Sequence, residues 1–142
     1  RKEMRDTWEK LNNAEGDRVD LVTFGCPHCT IAEVAEIARL LGDKRVHPDV
    51  KLYVGAPDQV ISLARRMGYA EAIEKAGGFL LEDCGGPSNP FLFFGKNINT
   101  VATDSTKAAA YVPRVSQAKV FYGETRDCID AAITGKWRGE PK

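Results

Sequence analysis

The sequence is poor in cysteine and histidine and has no surplus of either charge. Its four cysteines, Cys26, Cys29, Cys84 and Cys128, are too few and too unevenly spaced for the disulfide framework of a small secreted domain. A cytoplasmic protein is therefore expected, in which a cysteine serves as nucleophile, redox partner, metal ligand or buried structural thiol. Lys plus Arg and Asp plus Glu each total 20, and the basic residues are scattered. That removes the electrostatic footprint of a nucleic-acid binder or of a protein held on an anionic membrane. No apolar run is long enough for a membrane-spanning helix, and no signal-peptide pattern opens the chain. Internal repeats and low-complexity stretches are also lacking. The first residue is Arg1, not methionine, so the expectation is a piece of a longer protein with part of its active site elsewhere.

What is present is 142 residues with the apolar and charged fractions of an ordinary globular domain. Residues 1–17 read as a leading helix and linker, with Met4, Trp8 and Leu11 as sparse apolar positions facing a neighbouring region. Residues 18–142 read as a single α/β domain. Within it VDLVTF (19–24) has strand composition. Thr30 and Glu33 form a capping box ahead of Ile31, Val34, Ala35, Ala38 and Leu41 at helical spacing, ended by Gly42. The order recurs with VKLYVG (50–55), then Pro57 opening a helix with Val60, Ile61, Ala64 and Met67 on one face up to Gly68. A short helix over 70–76 stops at Gly77-Gly78, and FLLED leads to Cys84 in a Gly/Pro-rich loop. A strand before Asp104, a helix capped by Ser105 and halted before Pro113, a strand over 118–123 and a helix from Thr125 to Gly135 complete the chain. Alternating strands and helices predict a three-layer domain, a mostly parallel sheet with helices on both faces. In such sheets ligands gather at the carboxyl ends of the strands. Cys26 with His28, Cys84, Ser105 and Cys128 all fall at such ends, from four separate segments.

The sharpest motif is Cys26-Pro27-His28-Cys29, at the passage from strand to helix. Alone it fits a thioredoxin-like disulfide exchanger, whose first thiol is acidified by the helix N-terminus. SNPFLFFGKN can imitate the hairpin such enzymes need, but the further strand-helix units that follow do not belong to that fold. Cys29 reads equally well as a small buried residue at a helix start. Cys84 and Cys128 are either buried structural thiols or ligands, since a loop end and a helix first turn both stabilise thiolates. One close pair followed by two single cysteines suits an iron-sulfur cluster better than zinc. His47, in a polar turn, reads as exposed and inert. His28 reads as functional, and Ser105 with Lys107 forms a capped, basic helix start suited to a carboxylate or phosphate.

Taken together, GCPHCTIAE, RRMGYAEAIEKAGGFLLEDC, TDSTKAAAY and VFYGETRDCIDAAITGKWRG resemble the cluster-bearing region of the aconitase X family, in its large subunit or large domain. The resemblance runs from about residue 18 to near the end, with the blocks in the family's order. It implies an aconitase-domain-like fold and an iron-sulfur-dependent hydro-lyase acting on a small hydroxylated carboxylate, such as mevalonate 5-phosphate or cis-3-hydroxy-L-proline. By the same resemblance Cys84 and Cys128 correspond to ligands of a 4Fe-4S or 2Fe-2S cluster. Cys26 corresponds to a third ligand or a substrate-pocket residue, with further ligands from outside this chain. His28, Ser105 and Lys107 correspond to residues handling the substrate's proton or its anionic end. The implied partners are a small anionic substrate, the missing N-terminal region of the same chain, and an aconitase X small subunit or swivelling domain. The chain alone is expected to be inert. It departs from the family's pattern at Leu81-Glu82-Asp83 and at Asp104, where an added negative charge calls for Lys107 or a metal to offset it.

Overall fold

In the computed structural model, which describes residues 2–82 and 97–140, four- and five-residue strands alternate with amphipathic helices along most of the chain. The elements are α1 (Lys2–Leu11), β1 (Leu21–Phe24), α2 (Ile31–Leu41), β2 (Lys51–Gly55), α3 (Asp58–Arg66), α4 (Tyr69–Ala76), β3 (Gly78–Leu81), β4 (Thr100–Thr103), α5 (Thr106–Ser116), β5 (Lys119–Tyr122) and α6 (Thr125–Thr134). The strands form one sheet in the order β3-β2-β1-β4-β5, and every pairing is parallel. The chain thus builds outward from β1 to β3, returns to the other side of β1 with β4, and continues to β5. Between β1 and β4 the order reverses, which opens a crevice at their carboxyl ends.

Period-two alternation sorts the strand residues onto two faces. Val22, Phe24, Leu52, Val54, Ala102 and Phe121 join one core with residues of α2, α3, α4 and α6. Leu21, Tyr53, Val101 and Val120 join the other with Ala109 and Val112 of α5 and the partly buried Leu11 of α1. The sheet is therefore covered on both sides, the three-layer arrangement that the sequence predicts. On α2 the stripe Val34, Ile37, Ala38 and Leu41 is buried, and each large aliphatic side chain there contributes about 1.5–3 kcal/mol relative to exposure. The capping box of Thr30 and Glu33 is present, and α6 ends at Gly135 in the left-handed conformation that glycine adopts without cost.

Two clamps hold the strand ends. The buried Asp20 carboxylate accepts from the backbone N–H groups of Asn99 (2.9 Å) and Thr100 (3.0 Å), from the Thr100 hydroxyl, and from Arg18 Nε. It thereby pins the start of β4 beside β1. At the outer edge of β5, Asn13 Oδ1 accepts from Val120 N–H at 2.7 Å and Asn12 Oδ1 from Tyr122 N–H at 2.8 Å. Side chains thus satisfy an edge that would otherwise be open.

Three local expectations are corrected. The helix expected to halt before Pro113 continues through it to Ser116. Beyond the proline Ser116 is buried, and its hydroxyl donates to the Val112 carbonyl at 2.7 Å, so packing carries the helix past the missing N–H. Pro57 caps α3 from outside, and Met67 stays half exposed at its far end. His47 is not an exposed bystander: it is partly buried beneath Gly135, accepts from Asp49 N–H on Nδ1, and donates its backbone N–H to Ala132.

Candidate functional site

A cleft of about 590 Å³ opens at the carboxyl ends of β1 and β4, where the strand order reverses. Its lining includes Cys26, Cys29, Asp104, Ser105, Lys107 and Thr125. Local chain geometry brings them together. Gly25 ends β1 at φ +101°, and a Cβ on it would stand 2.1 Å from the Gly55 carbonyl oxygen, so only glycine lets the chain turn there. Cys29 N–H then donates to that same carbonyl at 2.9 Å. The Cys26–Pro27 peptide is cis.

Ser105 caps α5 by accepting from Ala108 N–H at 3.0 Å, and its hydroxyl donates to the Cys26 carbonyl. The end of β1 and the start of α5 are thereby tied to each other across the cleft floor. Asp104 accepts a 2.7 Å hydrogen bond from Thr125 at the start of α6. Lys107, in the first turn of α5, is exposed and makes no ion pair among the described residues. The other acids at the rim are engaged: Glu33 in the α2 capping box and Glu36 in a bidentate pair with Arg39. The cleft therefore offers one cationic side chain, one carboxyl whose side-chain partner is a neutral hydroxyl, and two thiols.

Burial dominates the titration of these groups. It raises the Asp104 carboxyl above its ordinary range, against the opposing hydrogen bond from Thr125 and one from its own backbone, with Glu33 adding to the rise. The Cys29 thiol is pushed up to about 12 by burial, assisted by the negative charges of Glu33 and Asp104. Cys29 also precedes the N-cap of α2, not its first turn. Against the disulfide-exchange alternative stands the sheet, which is parallel throughout the described residues and lacks there the antiparallel hairpin of that fold. The SNPFLFFGKN segment compared with a hairpin lies almost wholly outside the described residues.

Of the residues singled out in the sequence, Cys26, Ser105 and Lys107 meet in the cleft. His28 is half-buried and is not part of its lining; its Nε2 is buried without a hydrogen-bond partner among the described residues. Cys84 lies outside the described residues. Cys128 is fully buried in the core under α6, away from the cleft surface, and its thiol is raised by burial first and then by Asp104 and Asp127. Among the described residues no three His, Cys, Asp or Glu side chains gather as a metal site. An iron-sulfur cluster thus fits the described residues only in part: Cys26 is a soft donor at the cleft, and Cys128 is not at the cleft surface. The sequence reading missed the Asp104–Thr125 pair, because nothing in local spacing joins residues 21 apart.

The family model described as the aconitase X third domain matches residues 19–134. The chain is 36% identical, over 89% of its length, to 30% of the phosphomevalonate dehydratase large subunit of Methanocaldococcus jannaschii. It is 30% identical, over 96% of its length, to 23% of the cis-3-hydroxy-L-proline dehydratase of Pseudomonas aeruginosa. Its fold is similar to that of the Thermococcus kodakaraensis aconitase X (holo-form), with a TM-score of 0.75 and 29% identity over 90% of this chain and 32% of that one. The chain spans about a third or less of the length of these relatives.

Proposed function

The chain belongs to the aconitase X family, and from that premise we propose that it is the third-domain portion of an iron-sulfur-dependent hydro-lyase acting on a small hydroxylated carboxylate. The observation that carries this reading is the cleft at the β1/β4 reversal, where Cys26, Ser105 and Lys107 converge. The substrates proposed are those in the relatives' names, phosphomevalonate and cis-3-hydroxy-L-proline. Dehydration takes a proton from the carbon beside the carboxylate and a hydroxyl from the next carbon, leaving a double bond and water.

Lys107 is proposed to hold the substrate's anionic end, since its ammonium is exposed at the cleft and uncommitted among the described residues. Ser105 is proposed to act through Cys26, because its hydroxyl proton is committed to the Cys26 carbonyl and one lone pair to Ala108 N–H. His28 is put forward as the proton-handling group, on the ground that its buried Nε2 is uncommitted among the described residues. A cluster, when bound, supplies a Lewis acid for the departing hydroxyl. Cys26 and Cys84 are proposed as this chain's ligands, with the others contributed from outside it. The rest of the chain and a small subunit or swivelling domain complete the site, and the working compartment is the cytoplasm. No helix among the described residues is long and apolar enough to cross a membrane.

The test is anaerobic iron-sulfur reconstitution of the full-length protein, with its small subunit if separate, followed by iron counting and a dehydration assay on both substrates. Iron binding that is lost in Cys26→Ser and Cys84→Ser, together with turnover of one substrate that falls in Lys107→Ala, is the expected result. A folded wild type that binds no iron and dehydrates neither compound would overturn the reading.

A further inference from the structure

We infer that Cys128 is a packing residue of the core and does not ligate the iron-sulfur group; this sharpens the proposed function by reducing the ligands that this chain supplies. The inference runs against what the sequence suggests, since a cysteine in the first turn of a helix is where the helix dipole favours a thiolate. The fold places that turn differently. Thr125, the first residue of α6, lines the cleft, whereas Cys128, three residues deeper, has no exposed surface and belongs to the core that includes Ile129, Ala132, Phe24 and Val34. The helix packs there on β1, β4 and α2. A ligand's sulfur must border the space that a cluster fills, and Cys128 borders the apolar packing layer.

Charge acts in the same direction. Cysteine binds iron as thiolate. Burial disfavours that anion at Cys128, and the neighbouring carboxyls of Asp104 and Asp127 disfavour it further. The dipole of a ten-residue helix acts on a group at its exposed end, and the desolvation of a wholly buried sulfur outweighs it. Cys26 differs in position: it ends β1 at the cleft and its carbonyl is held by Ser105.

Two measurements on the full-length protein decide the matter. In the first, Cys128→Ala is reconstituted beside wild type and Cys26→Ser, and iron per chain, visible absorption and the thermal midpoint are recorded. Cys128→Ala is expected to keep wild-type iron and absorption with a lowered midpoint. Loss of iron from Cys128→Ala with native circular dichroism overturns the inference. In the second, iron-free protein is alkylated in its native state and the modified cysteines are located by mass spectrometry. A ligand freed of its metal becomes reactive, whereas a core thiol stays protected until unfolding; alkylation of Cys128 at the rate seen in denaturant overturns the inference. If wild type takes up no iron, the cluster reading fails on the first measurement, and the second still decides whether Cys128 is a core thiol.

Discussion

Thr125 Oγ1 donates a 2.7 Å hydrogen bond to Asp104, joining the first residue of α6 to the turn between β4 and α5 at the wall of the cleft. It is the one side-chain hydrogen bond that works against burial at this carboxyl, because it favours the ionised form. The pH dependence of stability follows. With its folded value raised above the ordinary 3.8, Asp104 contributes stability that is fully present below the unfolded value and is lost as pH rises through the folded value. Asp104→Asn should therefore gain on wild type as pH climbs from about 3 towards neutrality. Thr125→Val should move the wild-type transition to higher pH. Denaturant titrations across the acid range check both, and a constant difference between wild type and Asp104→Asn would show that the carboxyl is not raised.

Cys29 should behave as an unreactive thiol. A rise from 9.0 to about 12 is three units, which leaves about a thousandth of the ordinary thiolate at neutral pH. Native-state alkylation of Cys29 is expected to be slower by that order than in the unfolded chain. Here too the folded value is raised, so the stability contributed by the neutral thiol is retained below pH 9 and lost between pH 9 and about 12. Cys29→Ala should remove that part of the alkaline loss.

Gly25 allows no side chain. At φ +101° and with a Cβ only 2.1 Å from the Gly55 carbonyl oxygen, Gly25→Ala combines backbone strain with a clash against backbone that has no freedom to move away. A loss of roughly 3 kcal/mol or more is expected. Chemical denaturation measures it; a loss under about 1 kcal/mol would mean that the β1 and β2 ends separate easily.

Asp20 should matter for stability although it is remote from the cleft. Asp20→Ala leaves the backbone N–H groups of Asn99 and Thr100 without their acceptor, at a cost of roughly 3 kcal/mol. Asp20→Asn keeps one carbonyl oxygen for them and should cost less. The two variants are distinguished by their unfolding midpoints in denaturant.

The cleft's chemistry was only partly legible along the chain. Ser105 reads as a cap, and it is one, but its hold on the Cys26 carbonyl joins residues 79 apart and has no local signature. The burial of Cys128 is hidden along the chain for a related reason. Its place in a helix first turn can be read from Thr125 to Gly135, whereas the side of that turn facing the sheet depends on how α6 docks on β1 and β4. Pro113 likewise reads as a stop until the burial of Val112 and Ser116 on either side of it is taken into account.

By itself the sequence determined the alternation of strand and helix, the capping box at Thr30 and Glu33, and the glycine that ends α6. These depend on side-chain period, backbone freedom and hydrogen bonds spanning three or four residues, all of which are local. Only the tertiary structure decided that β4 returns beside β1, that Asp104 meets Thr125, and that Cys26 borders the cleft while Cys128 is enclosed. Those outcomes depend on which faces bury against each other and on the desolvation that follows, and both are properties of the assembled layers.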